Sequence, residues 1–142
     1  MIESTTTTVA NDDPRKLRSL LERASRLASE HDVPSVVVGL VGRQGDLRFP
    51  DFVDYLQSAL RVEDGVFRMT RERVVLHLAD VDRAMATEVL ERLLSRFHDE
   101  FPMLDEVAYV ARYVEIKPGD TEPAVREILP SLFSSEGADR LH

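Results

Sequence analysis

Several short groups of residues carry side chains that could do chemistry. Asp80/Asp82 and Asp99/Glu100 are paired carboxylates, an arrangement that binds a divalent metal or divides general acid from general base. Asp80 and Asp82 stand just before an amphipathic stretch, where a carboxylate caps a helix and complements its dipole. Asp99 and Glu100 flank a helix end and read as solvated. His77 sits among Val75, Leu76 and Leu78, far in sequence from His31, His98 and His142. A core or strand-edge histidine is therefore expected there, not a metal ligand. Tyr109 and Tyr113 share one face of an alternating segment and could stack a base, although core packing is the default for such a pair. Arg61 and Asp64 flank the turn Asp64-Gly65, with Asp64 able to cap it and Arg61 to partner Asp64. The Thr70–Arg73 segment is either a hairpin facing a nucleotide or partner, or a solvated turn whose charges keep it soluble.

These residues need elements to position them. Asn11-Asp12-Asp13-Pro14 is a helix start, an Asx cap followed by Pro in the first turn. Leu17, Leu20, Leu21, Ala24 and Leu27 recur at spacings of three and four, giving an amphipathic helix to about His31. Val33-Pro34 breaks it. Ser35–Val41 is β-branched and unbroken by polar residues, the pattern of a central strand buried on both faces. A polar loop, Gly42–Leu47, leads to a helix near Pro50 with Phe52, Val53, Leu56, Ala59 and Leu60 inward. Gly65–Met69 and Glu72–Ala79 read as a hairpin joined at Thr70-Arg71. Asp80 or Asp82 caps a long helix carrying Ala84, Val89, Leu90, Leu93, Leu94 and Phe97. Glu106–Ile116 alternates as a strand, with Val107, Tyr109, Ala111 and Tyr113 on one face. Lys117–Asp120 is a turn, and Glu122–Phe133 a final helix that Pro130 could shorten. The order β-α-β-β-α-β is that of the ferredoxin-like, split βαβ sandwich. The expected class is α+β: an antiparallel sheet with helices on one face, plus an extra N-terminal and a C-terminal helix. One domain is expected over 14–133, between a flexible leader (1–13) and a flexible tail (134–142).

Composition narrows the function classes. With 18 basic and 26 acidic residues the net charge is −8, which argues against binding nucleic acid or an anionic membrane through bulk charge. Basic residues show no stripe interleaved with aromatics, so no nucleic-acid partner is expected. Cysteine is absent, excluding disulfides, thiol catalysis and cysteine-ligated zinc. The longest apolar run, Val36–Val41, is six residues, far short of a membrane span, and no signal-peptide pattern opens the chain. No membrane partner and a cytoplasmic location are the expectation.

The element order and the run from Arg61 to Leu78 resemble the GGDEF domain, the catalytic domain of bacterial diguanylate cyclases. Members place an Arg-x-x-Asp before a strand, then five residues, then a five-residue signature at a hairpin. Here Arg61 and Asp64 are that Arg-x-x-Asp, Gly65–Met69 are the five residues, and Thr70-Arg71-Glu72-Arg73-Val74 holds the signature position. Arg68 stands two residues before the signature, as is usual in the family. The resemblance covers about Pro14–Phe133.

The departures bear on chemistry. Thr70 and Arg71 replace the two signature glycines, whose missing side chains let the backbone approach the nucleotide. Cyclases hold Mg²⁺ with two acids. Glu72 matches one. The other belongs at the end of the first strand, which here runs Val36–Gly42 without an acid; Asp46 comes only later, in the loop. The segment carrying the family's guanine-reading Asn and Asp looks shortened. The resemblance thus implies a degenerate member without cyclase activity: no catalytic residue, no metal site and no cofactor. It implies a regulatory or scaffold module acting through another signalling protein or a second copy of itself. The retained Arg-x-x-Asp resembles the family's inhibitory site for cyclic di-GMP. Arg61 and Asp64, with Arg68 and Arg71 as neighbours, are therefore candidate ligands for that dinucleotide, Arg for phosphate or the guanine edge and Asp for guanine N1 and N2. A receptor using this site is the alternative reading. A residual GTP-binding enzyme, with Asp46 moving in beside Glu72, is a third.

Overall fold

The computed structural model describes residues 13–102, 107–117 and 125–133. The expected leader, apart from Asp13, and the tail lie outside the described residues. So do the start proposed for the last strand at Glu106, most of the Lys117–Asp120 turn and the start of the last helix. The elements are α1 (Pro14–His31), β1 (Ser35–Gly42), α2 (Arg48–Ala59), β2 (Gly65–Arg68), β3 (Arg73–Ala79), α3 (Arg83–Glu100), β4 (Tyr109–Ile116) and α4 (Val125–Phe133).

Local chemistry sets most boundaries. The Asp13 carboxylate accepts from Arg15 N at 2.9 Å and Pro14 opens α1; Asp32 closes it in the left-handed region, φ 56°. Helix α2 starts two residues before Pro50, because Asp46 Oδ1 accepts from Arg48 N at 2.9 Å. Pro50 then lies in the first turn, where its missing N–H leaves no bond unmade. Of the two candidate caps for α3, Asp82 serves: its carboxylate accepts from Met85 N at 2.8 Å. Helix α4 runs through Pro130 to Phe133. The last strand starts at Tyr109.

The four strands form an antiparallel sheet ordered β2-β3-β1-β4. This is the split βαβ order. Helices α2 and α3 share one face, over Val36, Val38 and Leu40 of β1 and Val74, Leu76 and Leu78 of β3. Phe49, Phe52 and Phe97 fill that layer, all at most 2% exposed. The extra helices α1 and α4 cover the opposite face, over Val37, Phe67 and Val75. The Leu17–Ala28 stripe of α1 is thus used within the chain. Gly39 lets α4 sit flat on the sheet, since a Cβ there would lie 2.7 Å from Leu132 Cβ.

His77 is 1% exposed on the α1 face of β3, and its Nε2 has no hydrogen-bond partner. Ser35 Oγ is likewise buried and unpartnered. The register pairs Ser35 with Ala79 and Val37 with His77, so the two polar side chains are diagonal neighbours on one face. Burial, and then the charge of Arg23, lower the His77 pKa from 6.5 to about 4, with Asp64 opposing. The folded protein therefore binds fewer protons than the unfolded chain between pH about 4 and 6.5. Stability from this residue is complete above pH 6.5 and falls as pH drops towards 4.

Two predictions follow from this packing. In urea unfolding, wild type should lose roughly 2 to 3 kcal/mol across that pH window from His77 alone. His77→Leu should flatten the slope without loss of stability at neutral pH, because it removes an unpartnered polar group; an unchanged slope would refute the assignment. Gly42→Ala would place a Cβ 2.5 Å from Phe49 Cγ. Its melting temperature should fall by several degrees, an overpacking cost of about 1–3 kcal/mol.

Candidate functional site

The turn after α2 carries Arg61 and Asp64. The Asp64 side chain is 3% exposed, and both oxygens are committed within the chain. Oδ1 accepts from Ala79 N at 2.9 Å and Arg61 Nη2 at 3.3 Å; Oδ2 accepts from Arg61 N at 3.1 Å and Arg61 Nε at 3.2 Å. Arg61 Nη2 also donates to the Ala79 carbonyl. The pair clamps the α2–β2 turn onto the last residue of β3. Hydrogen bonding to Asp64 raises the Arg61 pKa above its already high value, with burial opposing. The Arg61 side chain keeps 49% of its surface, and Nη1 lies 3.7 Å from Glu63.

Arg61 and Asp64 line a pocket of about 300 Å³ between the end of α2 and α3. Leu60, Leu78, Val81, Val89 and Leu93 give it an apolar lining, and Arg92 and Arg96 join Arg61 on its wall. Asp64 and Asp80 are its acidic members. Asp80 follows the clamp directly, has φ 58°, and donates its N–H to the Pro34 carbonyl at 2.8 Å. Arg92 and Arg96 form no ion pair within 4 Å among the described residues. They are four residues apart on α3, so like charges stand on adjacent turns of one face, an unfavourable arrangement. Neither was singled out from the sequence. On α3 they read as part of a solvated face, and only the return of α2 beside them makes a pocket.

Arg68 and Arg71 lie elsewhere. Gly65 pairs with His77 and Arg68 with Val74, so Arg68 sits at the far end of the β2–β3 ladder from Arg61. Three residue steps of extended chain separate Gly65 from Arg68, about 10 Å. Arg68 is 15% exposed and its Nη2 donates to Asp54 Oδ1 at 2.6 Å and Gln57 Oε1 at 2.9 Å, bracing β2 against α2. Arg71 is exposed at the hairpin tip.

The signature segment is a self-contained turn. Thr70 Oγ1 accepts from Glu72 N at 3.2 Å and Arg73 N at 3.1 Å. Val74 is buried in the core, and Arg73 stacks on the Phe133 ring at 5.5 Å. The Glu72 carbonyl accepts from Gly42 N at 2.8 Å, which places the hairpin beside the end of β1. There the fully buried Phe49 ring packs so tightly on Gly42 that a Cβ would overlap it. The Asp46 side chain is 6% exposed, accepting from Arg48 N at the start of α2 and lying 3.6 Å from Arg48 Nε. Among the described residues no three His, Asp or Glu side chains are grouped to hold a metal.

The remaining candidates are structural in placement. Tyr109 stacks on Phe52 with centroids 5.7 Å apart, and burial pushes its hydroxyl pKa well up. Arg83 covers the Tyr113 ring at 5.5 Å. His98 Nε2 accepts from Val107 N at 3.1 Å. Asp99 and Glu100 are exposed.

The clamp generates its own prediction. Asp64→Ala leaves the Ala79 and Arg61 N–H groups without their acceptor, at roughly 1–3 kcal/mol per unsatisfied buried group. Thermal unfolding without any ligand should show a loss of several degrees, with a smaller loss for Asp64→Asn. A variant as stable as wild type would show that the clamp holds nothing.

No family model matches the chain, and no curated protein matches it. Solved structures do. The GGDEF domain of DgcB from Caulobacter crescentus, in complex with c-di-GMP, is 14% identical with TM-score 0.67, over 100% of this chain and 96% of that one. The FimX GGDEF domain from Pseudomonas aeruginosa is 11% identical with TM-score 0.65, over 87% and 90%. PelD from Pseudomonas aeruginosa PAO1, in a structure beginning at its residue 158, is 21% identical with TM-score 0.61 over 89% of this chain but 46% of that one. With its four-stranded antiparallel sheet and paired helices, the chain has a GGDEF-like fold.

Proposed function

We propose that this chain is a catalytically silent GGDEF-like signalling module that binds a cyclic dinucleotide, cyclic di-GMP, and through it controls a partner protein. One observation carries the receptor reading: Arg92 and Arg96, free of ion pairs among the described residues, flank Arg61 around an apolar-lined pocket. Two phosphates would relieve the repulsion between these guanidiniums, and a purine face suits the lining formed by Leu60, Val89 and Leu93. The DgcB domain, whose fold this chain shares, was crystallised with c-di-GMP, which makes that dinucleotide the natural probe. Asp64 takes a positioning role in this reading. Its oxygens hold Arg61 in place and would have to release existing bonds to accept from guanine.

Catalytic silence is supported at the other end of the hairpin. Phosphoryl transfer depends on positioning and on charge stabilisation. Thr70 and Arg71 stand where glycines would admit the nucleotide, and the end of β1 carries Gly42 under the Phe49 ring where the first acid would be. Asp46, the acid that would have to join Glu72, is instead committed to Arg48 N at the start of α2.

Thermal unfolding with and without excess cyclic di-GMP tests the reading. At a hundred times Kd a ligand adds roughly 2.7 kcal/mol, several degrees for a domain of this size. Wild type should show that shift, and Arg92→Ala/Arg96→Ala should abolish it while unfolding normally without ligand. Arg61→Ala is the poorer probe because it also breaks the clamp. GTP with Mg²⁺ should give neither a shift nor turnover. A wild type that ignores cyclic di-GMP overturns the receptor reading.

A further inference from the structure

One acidic side chain of the pocket is uncommitted. Of the pair Asp80 and Asp82, Asp82 caps α3 through Met85 N. Asp80 stands between β3 and α3, exposed, and lines the pocket with Arg61, Arg92 and Arg96. Its carboxylate forms no ion pair within 4 Å and accepts no hydrogen bond among the described residues. The backbone around it is held firmly. The Arg61–Asp64 clamp bonds both the N–H and the carbonyl of Ala79, Asp80 N–H donates to the Pro34 carbonyl, and Val81 is buried. Asp80 has φ 58°, a left-handed conformation that glycine adopts most easily and that Asp tolerates. A short carboxylate on a fixed stem is a preorganised acceptor, and preorganisation lowers the entropy cost of binding.

Asp64 is a poor acceptor for a ligand, because its two oxygens already receive four hydrogen bonds. A carboxylate with both oxygens open accepts best from two parallel donors. Guanine presents such a pair on its Watson–Crick edge, N1–H and the N2 amino group. Adenine has an acceptor at N1, whose lone pair would face the carboxylate. A pocket of about 300 Å³ is at the lower limit for a whole ligand and suits one base, with the rest of a dinucleotide outside. We propose, building on the receptor reading, that Asp80 is the residue that reads the base. Its carboxylate accepts from N1–H and the N2 amino group of one guanine, while Arg92 and Arg96 take the phosphates. Asp80 thereby selects guanine over adenine, and Asp64 stays in the clamp.

Isothermal titration calorimetry with three cyclic dinucleotides tests the assignment. Cyclic di-GMP offers both donors, cyclic di-IMP lacks the N2 amino group, and cyclic di-AMP lacks both. Wild type should bind them in that order, with cyclic di-AMP weaker than cyclic di-GMP by about tenfold or more, as a bidentate contact to a base gives. Asp80→Gly suits φ 58° and should melt near wild type without ligand. It should bind the three alike, and cyclic di-GMP about tenfold more weakly than wild type does. Asp64→Asn should melt lower but keep the wild-type order. A wild type that binds none of the three overturns the receptor reading and this assignment with it. A wild type that binds cyclic di-GMP and cyclic di-AMP alike, or an Asp80→Gly that keeps the wild-type order, overturns the assignment alone. If Asp80→Gly fails to fold, the near-isosteric Asp80→Asn decides, and an undiminished preference for cyclic di-GMP in that variant overturns the assignment.

Discussion

Burial of β1 on both faces is the constraint on which the rest of the structure depends. Val36, Val38 and Leu40 face α2 and α3, and Val37 and Gly39 face α1 and α4. A strand closed in this way must be free of charge along its length, since an unpaired charge there would be costly. It must also be thin where helices press on it, hence Gly39 under Leu132 and Gly42 under Phe49. The same constraint empties the end of β1 of chemistry. A carboxylate at Gly42 would need the space that the Phe49 ring fills, so core packing and a metal-holding acid are alternatives at this position. This chain carries the packing.

The Arg61–Asp64 pair shows how a short motif that resembles a binding site can serve the scaffold. Its carboxylate receives four hydrogen bonds, two of them from backbone N–H groups. A side chain so committed contributes by ordering its neighbours. It fixes the turn to Ala79 and orients one edge of the Arg61 guanidinium inward, while Nη1 lies 3.7 Å from Glu63. The clamp continues through Asp80 to the Pro34 carbonyl, so the pocket wall is joined to the connection between α1 and β1. The guanidiniums of Arg92 and Arg96, by contrast, form no ion pair among the described residues.

Local chemistry was legible in the sequence, and long-range placement was not. Asp13-Pro14 and the α1 stripe, the unbroken apolar run of β1 and the alternation of β3 each depend on residues within a few positions. The structure has these elements, in the split βαβ order with a GGDEF-like fold. Side chains settled what local pattern left open or misplaced: Asp82 is the one of the two candidate caps that serves α3, and Asp46 starts α2 ahead of Pro50. What stayed hidden depends on partners far along the chain. Phe49, just ahead of Pro50, carries no periodic signal of its own, and only the fold sets it against Gly42 and Tyr109. Arg68, adjacent in sequence to the candidate site, is turned towards Asp54 by the strand that separates it from Arg61. Arg92 and Arg96 became part of a pocket only because α2 ends beside them.

Electrostatics ties these features together. A chain with eight excess negative charges repels a dinucleotide at long range. At physiological salt that repulsion is screened beyond about 8 Å, and the local arrangement decides. Three guanidiniums and two carboxylates line the pocket between α2 and α3; with Arg61 paired to Asp64, Arg92 and Arg96 against Asp80 leave a small net positive charge on an acidic surface. Such a patch is selective because its surroundings are not basic. In the proposed receptor reading a small dianion would fit its extent, whereas nucleic acid would call for a longer run of cations. The apolar lining beneath adds a requirement for a flat or aliphatic group beside the charge. A lone sulfate or phosphate satisfies only half of that requirement; a nucleotide, or a protein surface with an exposed apolar side chain next to its acids, satisfies both.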